Sequence, residues 1–285
     1  MSIVYFLVGL VSTTVGAISG LGGGVIIKPV LDMLGNYSLP TIGVLSSFTV
    51  FSMSIVSLGK SLKNKVKLEG KKTICLATGS ILGGFIGKYL FSIYLKVINN
   101  NIIAQKLQSI ILFLLMFIVL LLYINDKKIN TYKGIIKDQE KNLSNLKSNK
   151  DNEYEYYSLN NKNNLIKCLI YGIVLGSISS FLGIGGGPLN VVVLMYMLDM
   201  DVKKSAIHSI FIIFFSQGSK LLSISLAEGF GVYNLEVLIY MILGGVSGGF
   251  LGSYFSNKID KNKVKNIFIY CMVLIIIFNF YNIVK

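Results

Sequence analysis

The chain has 285 residues, of which 53% are hydrophobic and only 14% charged, against about a quarter charged in soluble domains. Its net charge of +14 comes from lysine alone, because no arginine occurs, and mean hydropathy is +0.67. These totals exclude a soluble globular domain. They also exclude nucleic acid as a partner, because the lysines sit in short runs between apolar segments, the pattern of positive-inside membrane topology.

The first block, residues 3–34, begins within "MSIVYFLVGL", which lacks the basic start of a secretory signal and reads as part of the fold. The block is too long for one straight span and too short for two. It is broken at "GLGGGVIIKP", Gly20–Pro29. Apolar runs follow at 41–59, 73–95 and 107–124. Residues 125–164 are rich in Lys, Asn, Asp, Glu and Tyr, which predicts a mobile, partly helical linker on the cytoplasmic side. The second apolar half opens with residues 165–198, broken at "GIGGGPLNVV", Gly183–Val192. It continues through 205–226, 235–256 and 266–284. The predicted organisation is a first transmembrane repeat over 1–124, the linker over 125–164 and a second repeat over 165–285.

An internal duplication explains the parallel order of blocks. The two glycine stretches align, and "GSILGGFIGKYL" from Gly79 aligns with "GGVSGGFLGSYF" from Gly244. The pairs Gly83/Gly87 and Gly248/Gly252 have the small-xxx-small spacing of close helix packing. Lysine positions choose between two topologies. With eight straight spans, the lysine clusters fall on both sides of the membrane. If both first blocks are re-entrant hairpins, Lys60 to Lys72, the linker, Lys203, Lys204 and Lys258 to Lys265 share one side. That second arrangement, with six full spans, both termini outside and two oppositely oriented halves, is the favoured expectation. The fold class is therefore an all-α polytopic membrane protein of two inverted repeats, each a glycine-broken helix or hairpin followed by three transmembrane helices. A bacterial cell membrane is the expected location and the lipid bilayer the expected surroundings. The assembly is left open between a monomer and a homo-oligomer.

Non-helical backbone at membrane depth must be buried in protein or line a wet cavity. Broken helices direct free N–H groups and positive dipole ends inward, which suits anions. Gly20, Gly22, Gly23 and Gly24, with Gly183, Gly185, Gly186 and Gly187, are therefore candidate substrate-binding positions. Packing alone needs glycines spaced on one face, not three in a row. Pro29 and Pro188 suit the early turns of the helices that follow.

Gly16-Ala-Ile-Ser-Gly-Leu-Gly-Gly-Gly-Val-Ile-Ile-Lys-Pro-Val-Leu31 resembles the first-repeat signature of the TauE/SafE sulfite exporter family, and Gly183-Ile-Gly-Gly-Gly-Pro-Leu-Asn190 its second-repeat counterpart. The resemblance covers the chain outside the linker. It implies a permease for small, mostly sulfur-containing anions such as sulfite, sulfonates or sulfoacetate. The family places a Thr-Ser pair early in the next helix of each repeat. Here Leu45-Ser46 and His208-Ser209 stand there, with Ser47 following the first.

Other polar residues interrupt the apolar runs. His208, the single histidine, suggests proton coupling or a neutral, hydrogen-bonded group. Gln217 and Lys220 follow at spacings of 9 and 3, read as one broad helix face with His208. An intramembrane lysine is by default a functional candidate, so Lys220 could supply an anion site with charge, or snorkel to the interface. Lys28 is the other such lysine. Asn190, Ser46, Ser47 and Ser209 could add hydrogen bonds. Asp32 and Asp199 end the two hairpins and read as solvent-facing.

"GGFIGKYL" fails the phosphate-loop pattern, because Tyr89 follows Lys88. No HExxH, GxSxG or acidic metal cluster occurs, and Cys75, Cys168 and Cys271 are odd in number and scattered. Neither an enzyme, a metal nor a cofactor is expected. The expected function is a secondary transporter of a small anion, a sulfur oxyanion or organosulfonate, working by alternating access at the paired breaks. The alternatives are an anion channel, a permease for a non-sulfur anion such as a carboxylate, and a membrane scaffold.

Overall fold

The computed structural model describes residues 2–63, 70–144, 151–198 and 200–285. Its regular elements are α-helices in chain order: α1 (Ser2–Ser19), α2 (Gly24–Leu34), α3 (Leu39–Lys63), α4 (Gly70–Ile98), α5 (Asn101–Ser144), α6 (Asp151–Leu182), α7 (Gly187–Leu198), α8 (Val202–Ala227), α9 (Leu238–Lys258) and α10 (Lys261–Val284). Eight of them contain a stretch long and apolar enough to cross a bilayer, including Asn101–Ile124 of α5 and Leu165–Leu182 of α6. The chain is a multi-pass membrane protein. By length and composition alone the first arms α1 and α6, with 18 residues each of spanning length, bring the candidate spans to eight. The return arms α2 and α7, of 11 and 12 residues, reach only about 16–18 Å at 1.5 Å per residue, too short to cross alone. The side chains of the 125–164 linker and Asp199 lie outside the described residues.

The breaks fold the chain back on itself. After α2, the Asn36 Nδ2 donates to the Tyr5 hydroxyl at 2.8 Å, and the Tyr37 ring meets Tyr5 edge-on at 5.6 Å. The end of the return arm therefore sits beside the start of α1. Lys285 Nζ donates to the Met33 carbonyl at 2.9 Å, and Gln105 Nε2 to Asp32 Oδ1 at 3.0 Å, which brings the end of α10 and the start of α5 to the same end of the molecule. Lys261 pairs with Asp201 at 2.9 Å, and the Tyr196 hydroxyl donates to the Leu122 carbonyl, at the opposite end.

The two halves interlock. Helix α4 packs along α6, and α1 along α9, through glycine. A Cβ at Gly83 would overlap the Ile173 carbonyl, and one at Gly252 the Thr14 carbonyl. Buried hydroxyls bond back into their own helices, as Thr13 does to Gly9 at 2.6 Å and Thr49 to Leu45 at 2.8 Å. In lipid no water offers an alternative partner.

Each letter of the GxGGG motif has an identifiable physical cause. Gly20, Gly22 and Gly23 have φ of 78°, 80° and 76°, and Gly183, Gly185 and Gly186 have 70°, 78° and 71°. Side chains strain in that left-handed region, whereas glycine does not. The variable residues, Leu21 and Ile184, are fully buried. The glycine at the fifth position is needed for space rather than for φ. A Cβ on Gly24 would stand 2.7 Å from the Ile184 carbonyl oxygen, and one on Gly187 would overlap the Leu21 carbonyl. The two breaks therefore grip each other reciprocally. They do so midway along α3 and α8, where Val50 and Ile213 pack on both Gly22 and Gly185. Phe51 and Phe214, equivalent positions of the two halves, stack at 5.2 Å.

Two outcomes follow for stability. Gly187→Ala should lower the detergent-solubilised melting temperature more than Gly229→Ala. The first forces an overlap costing about 1–3 kcal/mol. The second, at φ 72° with nothing within 4 Å, meets only left-handed strain of about 1–2 kcal/mol. Equal shifts would show that the reciprocal contact does not matter. The Asp201 carboxylate caps α8 by accepting from the Lys204 N–H at 3.0 Å. Burial pushes its carboxyl up, but that N–H bond and Lys261 outweigh it and hold the carboxyl below its ordinary value. Its contribution is thus present above the ordinary aspartate range and lost as pH falls through the depressed value. Asp201→Ala should cost about 1 kcal/mol at neutral pH, and the gap in melting temperature should shrink in acid.

Candidate functional site

The paired breaks gather most of the expected polar residues. Ser46 Oγ lies 3.0 Å from where a Cβ of Gly24 would stand, and it has no hydrogen-bond partner. Ser209 Oγ donates to the Gly20 carbonyl at 2.7 Å, crossing from the second half to the first. Ser47 Oγ bonds back to the Gly43 carbonyl at 2.6 Å. Asn190 Oδ1, buried and without a partner, lies beside Gly186. Several break N–H groups are already engaged. Gly22 donates to Gly16, while Gly183 and Ile184 both donate to Ser179.

The positive charge comes from side chains on neighbouring helices. Lys220, buried on α8, reaches across to α3 and donates from Nζ to the Gly43 carbonyl at 3.2 Å. Its ammonium sits 3.7 Å from the Cβ positions of both Gly43 and Gly183, so two glycines make its room. Lys28 from α2 and Lys88 from α4 line the same narrow pocket, with Ser180 and Gln108. Ser180 Oγ and Gln108 Oε1 are buried without a hydrogen-bond partner. The mirror-image position, at Gly20, has no such room. Ala206 stands there in place of Gly43, and its Cβ lies 2.8 Å from where a Gly20 Cβ would be.

Two of the three lysines carry a counter-charge. Lys28 pairs with Asp32 at 2.8 Å inside the protein. Asp32 is only 4% exposed, and its other oxygen accepts from Gln105. The expectation of a solvent-facing Asp32 is therefore wrong. The residue lies one turn after Lys28, and the ion pair holds it inside. Lys88 pairs with Glu228, just past the end of α8. Among the described residues no carboxylate pairs with Lys220. Burial pushes the Glu228 carboxyl up, but hydrogen bonds from Lys88 and Tyr233 outweigh it and hold it below the usual range. Burial and Glu228 both push the Tyr233 hydroxyl up, so it stays a donor. The Glu228 carboxyl is therefore ionised at neutral pH.

Other expected residues lie apart from this pocket. His208 is buried and donates from Nδ1 to the Lys204 carbonyl at 2.8 Å, and it does not line the pocket. Gln217 reaches toward Ser179 at 3.4 Å. His208 and Gln217 do not share a face of α8, because nine residues are two and a half turns. Both are buried because α8 is surrounded, with buried residues all round its circumference. Lys88 and Ser180 were missed. The signal for Lys88 was a lysine inside an apolar run, the rule that singled out Lys220.

A family model described as "Sulfite exporter TauE/SafE" matches residues 5–279. The chain belongs to the TauE/SafE family. It is similar to "Probable membrane transporter protein YunE" of Bacillus subtilis (strain 168), with 26% identity over 280 residues, covering 96% of this chain and 95% of that one. No solved structure matches. Family and relative together make this TauE/SafE chain a membrane transporter. The break backbone, the serines beside it and the lysine pocket form its candidate site.

Proposed function

We propose that the chain carries small anions by alternating access, and that the lysine pocket beside the second break is its substrate site in an outward-open conformation. The observation that carries this reading is Lys220. A buried ammonium with a carbonyl partner and no paired carboxylate is costly in a membrane interior, and an incoming anion supplies the missing charge. Lys28, Lys88 and the Ser180 hydroxyl add donors, which suits an oxyanion with several acceptor oxygens. Sulfur oxyanions and organosulfonates fit that donor set, in keeping with the family description.

The repeats are inverted in this proposal. Contacts place the ends of α2 and α10 beside the start of α1, while Lys203, Lys204, Lys258 and Lys261 gather at the opposite end. Positive-inside topology makes that lysine-rich end cytoplasmic. The pocket then opens outward, and the equivalent inward space at Gly20 is closed by Ala206. Rocking the halves about the interlocked breaks would exchange the two.

The test uses purified protein in proteoliposomes, with thermal shift across sulfite, thiosulfate, sulfonates and carboxylates. Saturable flux with counterflow is expected, and Lys220→Gln should reduce it by about tenfold or more, the effect of losing one charge-assisted contact of 1.5–3 kcal/mol. Unsaturable conductive current would instead make the protein a channel. Undiminished anion stabilisation in Lys220→Gln would place the site elsewhere.

A further inference from the structure

The pocket has a mouth, and the mouth holds an acid. A wider, half-polar vestibule adjoins the lysine pocket, and the two share Pro40, Lys88, Phe91 and Tyr233 as a common neck. Glu228 lines the vestibule side only, and its carboxylate engages Lys88 in that neck. The Glu228 side chain is 39% exposed and Lys88 12%, so the acid faces the route by which an anion would arrive. It is carried where α8 ends. Its own N–H and that of Gly229 cap the Ile224 carbonyl, and Gly229 follows at φ 72° in open space. Lys220 sits on the same helix, about 12 Å away along its axis at 1.5 Å per residue.

We propose that Glu228 is a tethered counter-anion that occupies Lys88 at rest, and that the transported anion displaces it, which favours substrates carrying two negative charges. The inference rests on the anion-transport reading. With Glu228 docked, Lys220 is the pocket lysine without a paired carboxylate. Once Glu228 leaves, Lys220 and Lys88 both need one. A dianion satisfies both, whereas a monoanion leaves a charge uncompensated in the membrane interior. Lys88 and Lys220 line the same pocket, so Lys88 is the natural second contact. Tyr233 hydrogen-bonds Glu228 and holds it in the neck until it is displaced.

Flux in proteoliposomes with methanesulfonate, one acid group, and sulfoacetate, two, separates the outcomes. Wild type should prefer sulfoacetate. Glu228→Gln removes the competitor and should lower KM for sulfoacetate roughly twofold to fivefold, the range of a partly exposed ion pair. Lys88→Gln should abolish the preference for two charges, raising KM for sulfoacetate more than for methanesulfonate. Lys96→Gln, which changes vestibule charge without an ion pair to Glu228, should leave the preference intact. An unchanged KM in Glu228→Gln, with saturable anion flux in wild type, would overturn the tethered-anion role and leave anion transport standing. Absence of any anion flux or anion stabilisation in wild type would overturn both. Melting temperatures of the variants separate loss of folding from loss of function.

Discussion

Peptide groups that leave a helix within a bilayer have no water to turn to, and each unsatisfied one costs several kcal/mol. The molecule meets this constraint by pressing its two helix breaks together. The Leu21 carbonyl lies against Gly187 and the Ile184 carbonyl against Gly24. Everything else is arranged around that contact. Helices α3 and α8 pack their middles on it through Val50 and Ile213. Each first arm is then held by the other half, α1 on α9 and α6 on α4, through glycines that admit bare backbone. Each break is packed by its own first arm and by the break of the other half, so the two halves complete each other's core.

Symmetry at the contact makes the asymmetry beside it informative. Position 43 is glycine and its counterpart 206 is alanine. One methyl group decides which break has space next to it. Lys220 exploits the space at Gly43 and Gly183, and its counterpart in the first half is Ser57, too short and uncharged to do the same. The chain thus keeps a common scaffold of two breaks and differentiates one face of it for charge.

Much of this was legible from the sequence, for identifiable reasons. Positive φ at Gly20, Gly22 and Gly23 is a local demand that only glycine meets cheaply, so the break appears in the one-letter code and so does its repeat. Small-xxx-small spacing at Gly83 and Gly87 marked a close helix contact for the same reason. Partners across the fold were not legible. Asp32 reads as a helix-end acid until the Lys28 ion pair and Gln105 are in place. Lys88 was read only against a phosphate-loop pattern, because its neighbours in the pocket come from α2, α5, α6 and α8. His208 and Gln217 were assigned to one face by spacing, and the burial of α8 on all sides hid the error.

The sequence also pointed to backbone N–H groups as the anion ligands; the proposed site relies on lysine side chains for its charge instead. Gly22, Gly183 and Ile184 already donate to carbonyls of their own first arms. Those bonds hold the turn and cannot be surrendered to a ligand without loosening it. Lysines on α2, α4 and α8 have no such duty. In the proposed cycle Lys88 would exchange Glu228 for the incoming anion while the backbone stays fixed. A carrier that must release what it binds gains from this division, because exchanging a counter-ion near a buried ammonium costs far less than exposing it. Asp32 sits deep with its lysine, whereas Glu228 sits at the neck, half in solvent. Of the two acids, only the second is placed to leave.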